Sequence, residues 1–441
     1  MKAAYFGIIN RVIMIASALN SHMEHIFGSP VKIPELLAPA GNMEKLKMAL
    51  HYGADAVYLG GHSFGLRNKA ENFSIDEMET ALALCHRRGV KAYLTVNSYP
   101  RNEMMSALET YLNEVNVLPF DAYIVADPGV IELVREISPQ RELHLSTQAN
   151  TINLHSARFW QRLGIRRINI AREMSLENIR ETVLSVPGME FEAFVHGALC
   201  ISYSGRCLIS SMLTGRDANQ GECTHPCRWS YHLVEEQRPG EYFPVMEDET
   251  GTFIFNSRDL CLLDHIPALI ESGVASLKIE GRMKGINYVA SVLRVYRQAL
   301  DEYGSDPSGW RCRPEWMNEL SKLSHRGYTT GFLLGEPRNV GQEYQSAYIR
   351  SHEFVALVEE VRNDGSAVLE VRNRIQVGDE LEIVGPGMRS GRLRIETLTI
   401  LDVKGKMEQA VSAHPNQRIV VMPPFPVEPF DLVRRQKEME A

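Results

Sequence analysis

Four cysteines stand close together in a chain whose other three are scattered. Cys200, Cys207, Cys223 and Cys227 fall within 28 residues, with gaps of six, fifteen and three, while Cys85, Cys261 and Cys312 lie far apart. Thiolates are soft donors, and four from one segment can close a tetrahedral site without the rest of the fold. Two chemistries compete. Structural zinc favours tight knuckles in both cysteine pairs, and the Cys200–Cys207 gap is too wide for one. An iron–sulfur cluster tolerates uneven spacing because its thiolates reach different iron atoms. Ordinary buried thiols are the plain alternative, and the crowding argues against them. His225 has the type of a substitute ligand, but Thr224 and Pro226 beside it read as a turn.

Nucleophilic chemistry is less well served. No H-E-x-x-H occurs, and the single G-x-S-x-G is Gly61-His62-Ser63-Phe64-Gly65. A nucleophile elbow must turn directly into a helix, whereas LRNKAENF (66–73) delays the next one, so the motif reads as a glycine-rich loop. Cys200 with His196 has the types of a thiol nucleophile and its base, a role that commitment of Cys200 to a metal would remove.

The elements that must position these groups follow from the alternation of short apolar runs with amphipathic stretches. The runs are 33–41, 55–60, 90–97, 121–127, 142–148, 166–171, 189–196 and 274–280, rich in β-branched and aromatic residues. Between them lie helical patterns such as 74–89, where Met78, Ala81, Leu82 and Cys85 recur at helical spacing and Ser74 with Glu77 forms a capping box. Strands buried on both faces and separated by helices imply parallel βα units, and eight in a row imply a closed (β/α)8, TIM-like barrel. An open doubly wound sheet is the second choice. The cysteine segment is then a long insertion after strand seven, over the catalytic, C-terminal face. The barrel is expected over 32–340. A small antiparallel, barrel-like β domain is expected over 345–435, with Asn363-Asp364-Gly365 and Gly378-Asp379 as turns.

Composition sets outer bounds. Apolar residues at 44% and charged residues at 23% exclude disorder or coiled coil as the dominant state. No run approaches the ~18 apolar residues of a membrane span. With 47 Lys+Arg against 55 Asp+Glu, the net charge of −8 excludes a globally basic surface, so nucleic-acid contact must be local. Seven cysteines are too few for a disulfide scaffold, and a cytoplasmic location is expected. Residues 1–31 read as a disordered leader or an over-called start, because Asn10 and Arg11 interrupt what would be a signal-peptide core.

Barrel enzymes draw on side chains at strand C-termini. The candidates are Glu35, Asn97, Asp127, Gln148, Asn150, Arg172, Glu173, His196, Glu280 and Arg282, with Arg67 and Asp259 nearby. Glu280 and Arg282 lead, since Ile-Glu-Gly-Arg ends the last strand. For RNA, the basic clusters are His86-Arg87-Arg88, Arg166-Arg167, the trio Arg389, Arg392 and Arg394, and Arg434-Arg435 with Lys437. Tyr203 and Trp229 are candidate stacking platforms.

The motifs PELLAPAG (34–41), GADAVYLGG (53–61), LSTQANTIN (145–153), FVHGALCISYSGRCLISS (194–211), RDANQGECTHPCRW (216–229) and LKIEGRMK (277–284) resemble those of the peptidase U32 family. The similarity runs from Ile33 onward and is greatest to the branch that installs 5-hydroxyuridine at the wobble position of tRNA. The departures are the leader and a shorter stretch between Trp229 and Phe253. The resemblance implies a 4Fe–4S cluster on Cys200, Cys207, Cys223 and Cys227, which raises iron–sulfur above zinc. It also implies prephenate as co-substrate, oxygen-independent hydroxylation and a tRNA anticodon loop as partner. Glu280, Arg282, His196 and Gln148 become the catalytic candidates, with Arg282 to grip prephenate carboxylates. Sister branches hydroxylate a ribosomal RNA cytidine or a ubiquinone precursor. A U32-type, collagenase-like peptidase and a non-catalytic RNA-binding protein are the other readings. No iron–sulfur assembly partner is specified.

Overall fold

The computed structural model describes residues 31–66, 71–200, 202, 207–226, 258–335, 351–402 and 404–437, and the short stretches 233–234, 242–243, 246–248 and 251–253. The expected leader, residues 1–31, lies almost wholly outside the described residues, as do Arg67, Tyr203, Cys227 and Trp229.

Seven consecutive parallel strands follow the apolar runs: β1 (Glu35–Pro39), β2 (Ala56–Leu59), β3 (Lys91–Val96), β4 (Ala122–Val125), β5 (Glu142–Leu145), β6 (Arg167–Asn169) and β7 (Glu190–Ala198). A short strand β8 (Asp259–Cys261) precedes β9 (Ser276–Ile279), the eighth barrel strand. β9 pairs in parallel with both β7 and β1, which closes the barrel. The closed sheet abolishes edges, so every barrel strand is saturated on both sides. Local signals agree with the fold. Helix α1 (Ile75–Arg87) buries Met78, Ala81, Leu82 and Cys85, and both bonds of the Ser74–Glu77 capping box form.

β7 departs from a simple barrel strand. Its tip runs on to pair antiparallel with β8, His196 lying opposite Cys261 and Ala198 opposite Asp259. β8 in turn pairs in parallel with β10 (Tyr328–Thr329). On its other side the β7–β9 register slips, so that Lys278 faces Phe194 but Ile279 faces His196. Val195 is therefore an extra residue, a bulge that reverses which way the following side chains point. Gly197, at φ 117°, completes the bend; a Cβ there would stand 2.5 Å from the Glu280 carbonyl oxygen.

Past helix α2 (Ile286–Ser305) and helix α3 (Pro314–Ser321), the chain enters an eight-stranded antiparallel sheet. It begins with β11 (His352–Val361) and β12 (Ala367–Val371), joined through the expected turn, where Gly365 takes φ 85°. β13 (Glu380–Val384), the edge strand β14 (Ser390–Arg394) and β15 (Leu432–Gln436) complete one half. The strand pattern points to barrel-like closure, but no pair joins the two edges of this sheet among the described residues.

The sheet is bolted to the barrel by buried charge. Arg434 donates both Nη atoms to Glu319 at 2.8 and 2.6 Å and its Nε to Glu382 at 2.7 Å. Arg294 donates to Glu319 at 3.2 Å and to the Arg389 carbonyl at 2.9 Å. The Tyr52 hydroxyl donates to the Val384 carbonyl and accepts from the Leu432 amide. Among the described residues no helix is long and apolar enough to cross a membrane.

Candidate active site

A cavity of about 240 Å³ opens at the C-terminal end of the barrel. Side chains from β2, β3, β4, β6, β7 and β9 form its walls, and the segment after β7 forms its cover. Cys200, Cys207 and Cys223 line this one cavity together with Gln148, Arg172, Lys278, Glu280 and Arg282. The insertion thus lies over the catalytic face, as the strand count implies. Its short helix, Ile209–Thr214, contributes Ile209 to the wall.

Three thiols from one segment line the same cavity, and thiolates are the donor type that iron–sulfur clusters take. A backbone amide also points at the sulfur of Cys223, His225 N–H donating to Sγ at 3.4 Å, the kind of interaction that tunes cluster potentials. His225 adopts a left-handed φ of 56°, in keeping with the turn expected there. Among the described residues, no three His, Cys, Asp or Glu side chains are gathered closely enough to hold a metal ion. Cys227, the fourth expected ligand, lies outside them.

The cavity is rich in cations. Among the described lining residues, Arg172, Lys278, Arg282 and Lys284 stand against the one carboxylate of Glu280. Arg282 is buried and donates Nη1 to Thr95 Oγ1 at 2.9 Å and Nη2 to Asn72 Oδ1. Its seat exists because residue 60 is glycine: a Cβ there would lie 2.4 Å from Nη2. Glu280 is expected to act with Arg282, but its carboxylate is paired with Arg172 at 3.7 Å. The Arg172 guanidinium also lies over the Phe194 ring, 4.1 Å from its centroid, and donates to the Ala198 carbonyl at 3.1 Å. Gln148 sits in a 3-10 turn after β5, its carbonyl accepting from the Tyr99 hydroxyl at 2.6 Å.

His196 is not brought to the cavity. The bulge at Val195 turns it outward, where it packs among Tyr288, Tyr296 and Tyr328; its Nδ1 lies 3.4 Å from the Tyr296 hydroxyl, which donates its own proton to the Val195 carbonyl at 2.8 Å. Burial drives its pKa down to about 3, against the opposing pull of Asp259. Other candidates resolve into structural roles. Glu35 opens β1 rather than closing it, and at the barrel floor it takes Arg167 at 2.6 Å and the Tyr93 hydroxyl at 2.7 Å. Asp127 caps a helix through the Gly129 and Val130 amides, and Asp259 pairs with Arg326 at 2.5 Å. Gly61–Gly65 is a loop whose next helix begins only at Ile75. Asn97 does line the cavity.

Sequence reasoning missed Asn169 and Lys278, which project into the same space from β6 and β9. Both were legible in principle as polar residues inside runs otherwise buried. Glu192 holds them side by side, its Oε1 accepting from Asn169 Nδ2 at 2.9 Å and from Lys278 Nζ at 2.8 Å. Burial alone would raise the Glu192 carboxyl, but Lys278 and Arg167 hold it below its ordinary value.

The family model described as peptidase family U32 matches residues 41–343, and its C-terminal domain model matches 350–434. The chain belongs to peptidase family U32. This U32 protein is 41% identical over 408 residues to "tRNA hydroxylation protein P1" of Bacillus subtilis (strain 168), covering 92% of this chain and 96% of the relative. It is 39% identical to "tRNA hydroxylation protein P" of Escherichia coli (strain K12), covering 80% and 86%. It is also 34% identical to the "23S rRNA 5-hydroxycytidine C2501 synthase" of the same strain, covering 76% of this chain and 52% of that one.

Proposed function

We propose that this chain hydroxylates uridine in tRNA, forming 5-hydroxyuridine at the wobble position with prephenate as co-substrate and without molecular oxygen. The observation that carries this reading is near full-length similarity to relatives named for tRNA hydroxylation, at 41% and 39% identity. A single-stranded anticodon loop needs little unpairing, so one base can be splayed into a barrel mouth. Cations that outnumber the one carboxylate there suit an anionic co-substrate.

In this reading Cys200, Cys207, Cys223 and Cys227 would hold a 4Fe–4S cluster. Such a cluster supplies electron-transfer or Lewis-acid chemistry when bound. Arg282, anchored through Thr95 and Asn72, and Arg172 receive the carboxylates of prephenate. Glu280, held by Arg172 at 3.7 Å, is the one carboxylate among the described lining residues and would serve to hold or move a proton there. The insertion covers the mouth and limits water.

The test is nucleoside mass spectrometry of total tRNA from an anaerobically grown deletion strain, complemented with wild type or Cys200→Ser. Loss of 5-hydroxyuridine in the deletion, with restoration by wild type alone, is the expected result. Unchanged 5-hydroxyuridine in the deletion strain would overturn the reading.

A further inference from the structure

The polar floor of the cavity carries an inference that rests on the reading above and deepens it. Asn169 is only 3% exposed and lines the cavity from the C-terminal end of β6. Its amide can face either way in isolation, but Glu192 decides the matter. A carboxylate offers acceptors only, so the Asn169 amino group must be the one that meets Glu192 Oε1 at 2.9 Å. The carbonyl oxygen, Oδ1, is thereby left on the other side, and among the described residues it has no hydrogen-bond partner. A buried acceptor without a donor is costly, by about 1–3 kcal/mol, and an occupant that brings an N–H removes that cost.

Lys278 shares the same carboxylate oxygen. One of its three N–H groups goes to Glu192 Oε1 at 2.8 Å. Its ammonium lies 4.5 Å from the centroid of the Tyr58 ring, and both residues line the cavity. The floor therefore presents a fixed acceptor next to a fixed cationic donor.

The geometry points to Asn169 Oδ1 and Lys278 Nζ as the pair that reads the pyrimidine edge of the flipped base and selects uracil over cytosine. Uracil carries an N3–H between two carbonyl oxygens, so N3–H donates to Asn169 Oδ1 while a neighbouring carbonyl accepts from Lys278. Cytosine has a lone pair at N3, and it would meet the Asn169 lone pairs with no proton between them. Glu192 enforces the choice by preventing the amide from turning over. Asn169 and Lys278 are thus specificity residues, and Glu192 is a positioning residue.

The test uses the full-length, anaerobically purified protein and three anticodon stem–loop RNAs, carrying uridine, 3-methyluridine or cytidine at the wobble position. Fluorescence anisotropy of wild type should give about tenfold tighter binding for uridine than for the other two, one charge-independent hydrogen bond and one avoided clash being at stake. Asn169→Ala, and the similarly sized Asn169→Leu, should bring the three affinities together. An Asn169 that merely supports the fold would weaken all three RNAs alike and leave the ratio intact, and that result would overturn the inference. The wild-type comparison needs no variant, so equal binding of the three RNAs overturns it as well. If equal binding coincides with restored 5-hydroxyuridine in complemented cells, only the specificity pair is lost; if the modification is not restored, the functional reading is lost with it.

Discussion

Buried charge is used in two opposite ways in this molecule. At the seam between the barrel and the C-terminal sheet, Arg294, Arg434, Glu319, Glu382 and Lys322 interlock, each cation meeting a carboxylate within 3.4 Å. At the barrel mouth, four cations share the described lining with one carboxylate, and Arg282 donates to a hydroxyl and an amide. A closed network leaves nothing for a ligand. At the mouth Arg172 and Lys278 each meet one carboxylate, in Glu280 and Glu192, and the lining still carries more positive than negative charge for a ligand to meet. Removing a seam residue should therefore break the fold, and removing a mouth residue should break function first.

The largest effect is expected at Glu319. Glu319→Ala strands Arg294 and Arg434 without their shared carboxylate, and loss of one partner from such a buried group costs about 3–5 kcal/mol. Calorimetry should show a lowered transition with the C-terminal sheet melting ahead of the barrel; a single unshifted transition would mean the seam is passive. Next comes the mouth. Arg282→Met should lower 5-hydroxyuridine formation by roughly two orders of magnitude, in line with a lost charge-assisted bond of ~1.5–3 kcal/mol, while melting moves less than in Glu319→Ala. Arg282→Lys keeps the charge but loses the planar fork, and should recover only part of the activity.

The same contrast marks what is legible in the sequence. Periodicity locates all eight barrel strands, seven of them wholly within an apolar run bounded by turn formers, while β7 overruns its run of 189–196 to Ala198. The Ser74–Glu77 cap and the Asn363-Asp364-Gly365 turn are readable because their physics is local. Counting along β7 places His196 at the mouth, and a single inserted residue, Val195, reverses that parity. A bulge is set by the neighbouring strands and has no signal in its own residues. Arg434 and Arg435 read as a basic cluster for RNA, yet one is buried in the seam and the other pairs with Asp379 and Glu353. Arg389 likewise is bound to Asp431 at 2.7 Å. Charge is visible in the sequence, but its partners lie 42 to 115 residues away.

Acid should separate the two regions again, with a smaller effect. His196 is held neutral by burial, with a folded pKa of about 3 against an ordinary value of 6.5. The unfolded chain binds the proton first, so stability is complete above pH 6.5 and is lost as pH falls from there toward 3. At the seam, burial opposes ionisation of Glu382, but Arg434 and Lys322 bring its pKa down to about 2. Its contribution is complete above the ordinary carboxylate value of 4.5 and fades only between there and 2. Between about pH 6.5 and 5 the barrel should thus weaken by up to about 1.4 kcal/mol per pH unit through His196, while Glu382 stays ionised. Denaturant unfolding of His196→Phe across that range should show a flatter slope than wild type.

The smallest effect concerns whether the C-terminal sheet touches RNA at all. Deleting it is a poor test, because a chain ending at Gly341 loses Arg434 and leaves Glu319 and Arg294 exposed at a raw seam. Of the basic trio in this sheet, Arg389 is already committed to Asp431, whereas Arg392 and Arg394 are exposed on the edge strand β14. Substituting Arg392→Ser and Arg394→Ser spares every seam bond. If this edge grips the tRNA backbone, affinity should fall a few-fold for all tRNA sequences alike, and the salt dependence should flatten by about one unit for each phosphate no longer neutralised. The Asn169 variants, in contrast, should change base preference and leave the salt slope unaltered. Unchanged affinity and slope in the paired arginine variant would confine RNA recognition to the barrel mouth and leave the C-terminal sheet as scaffold.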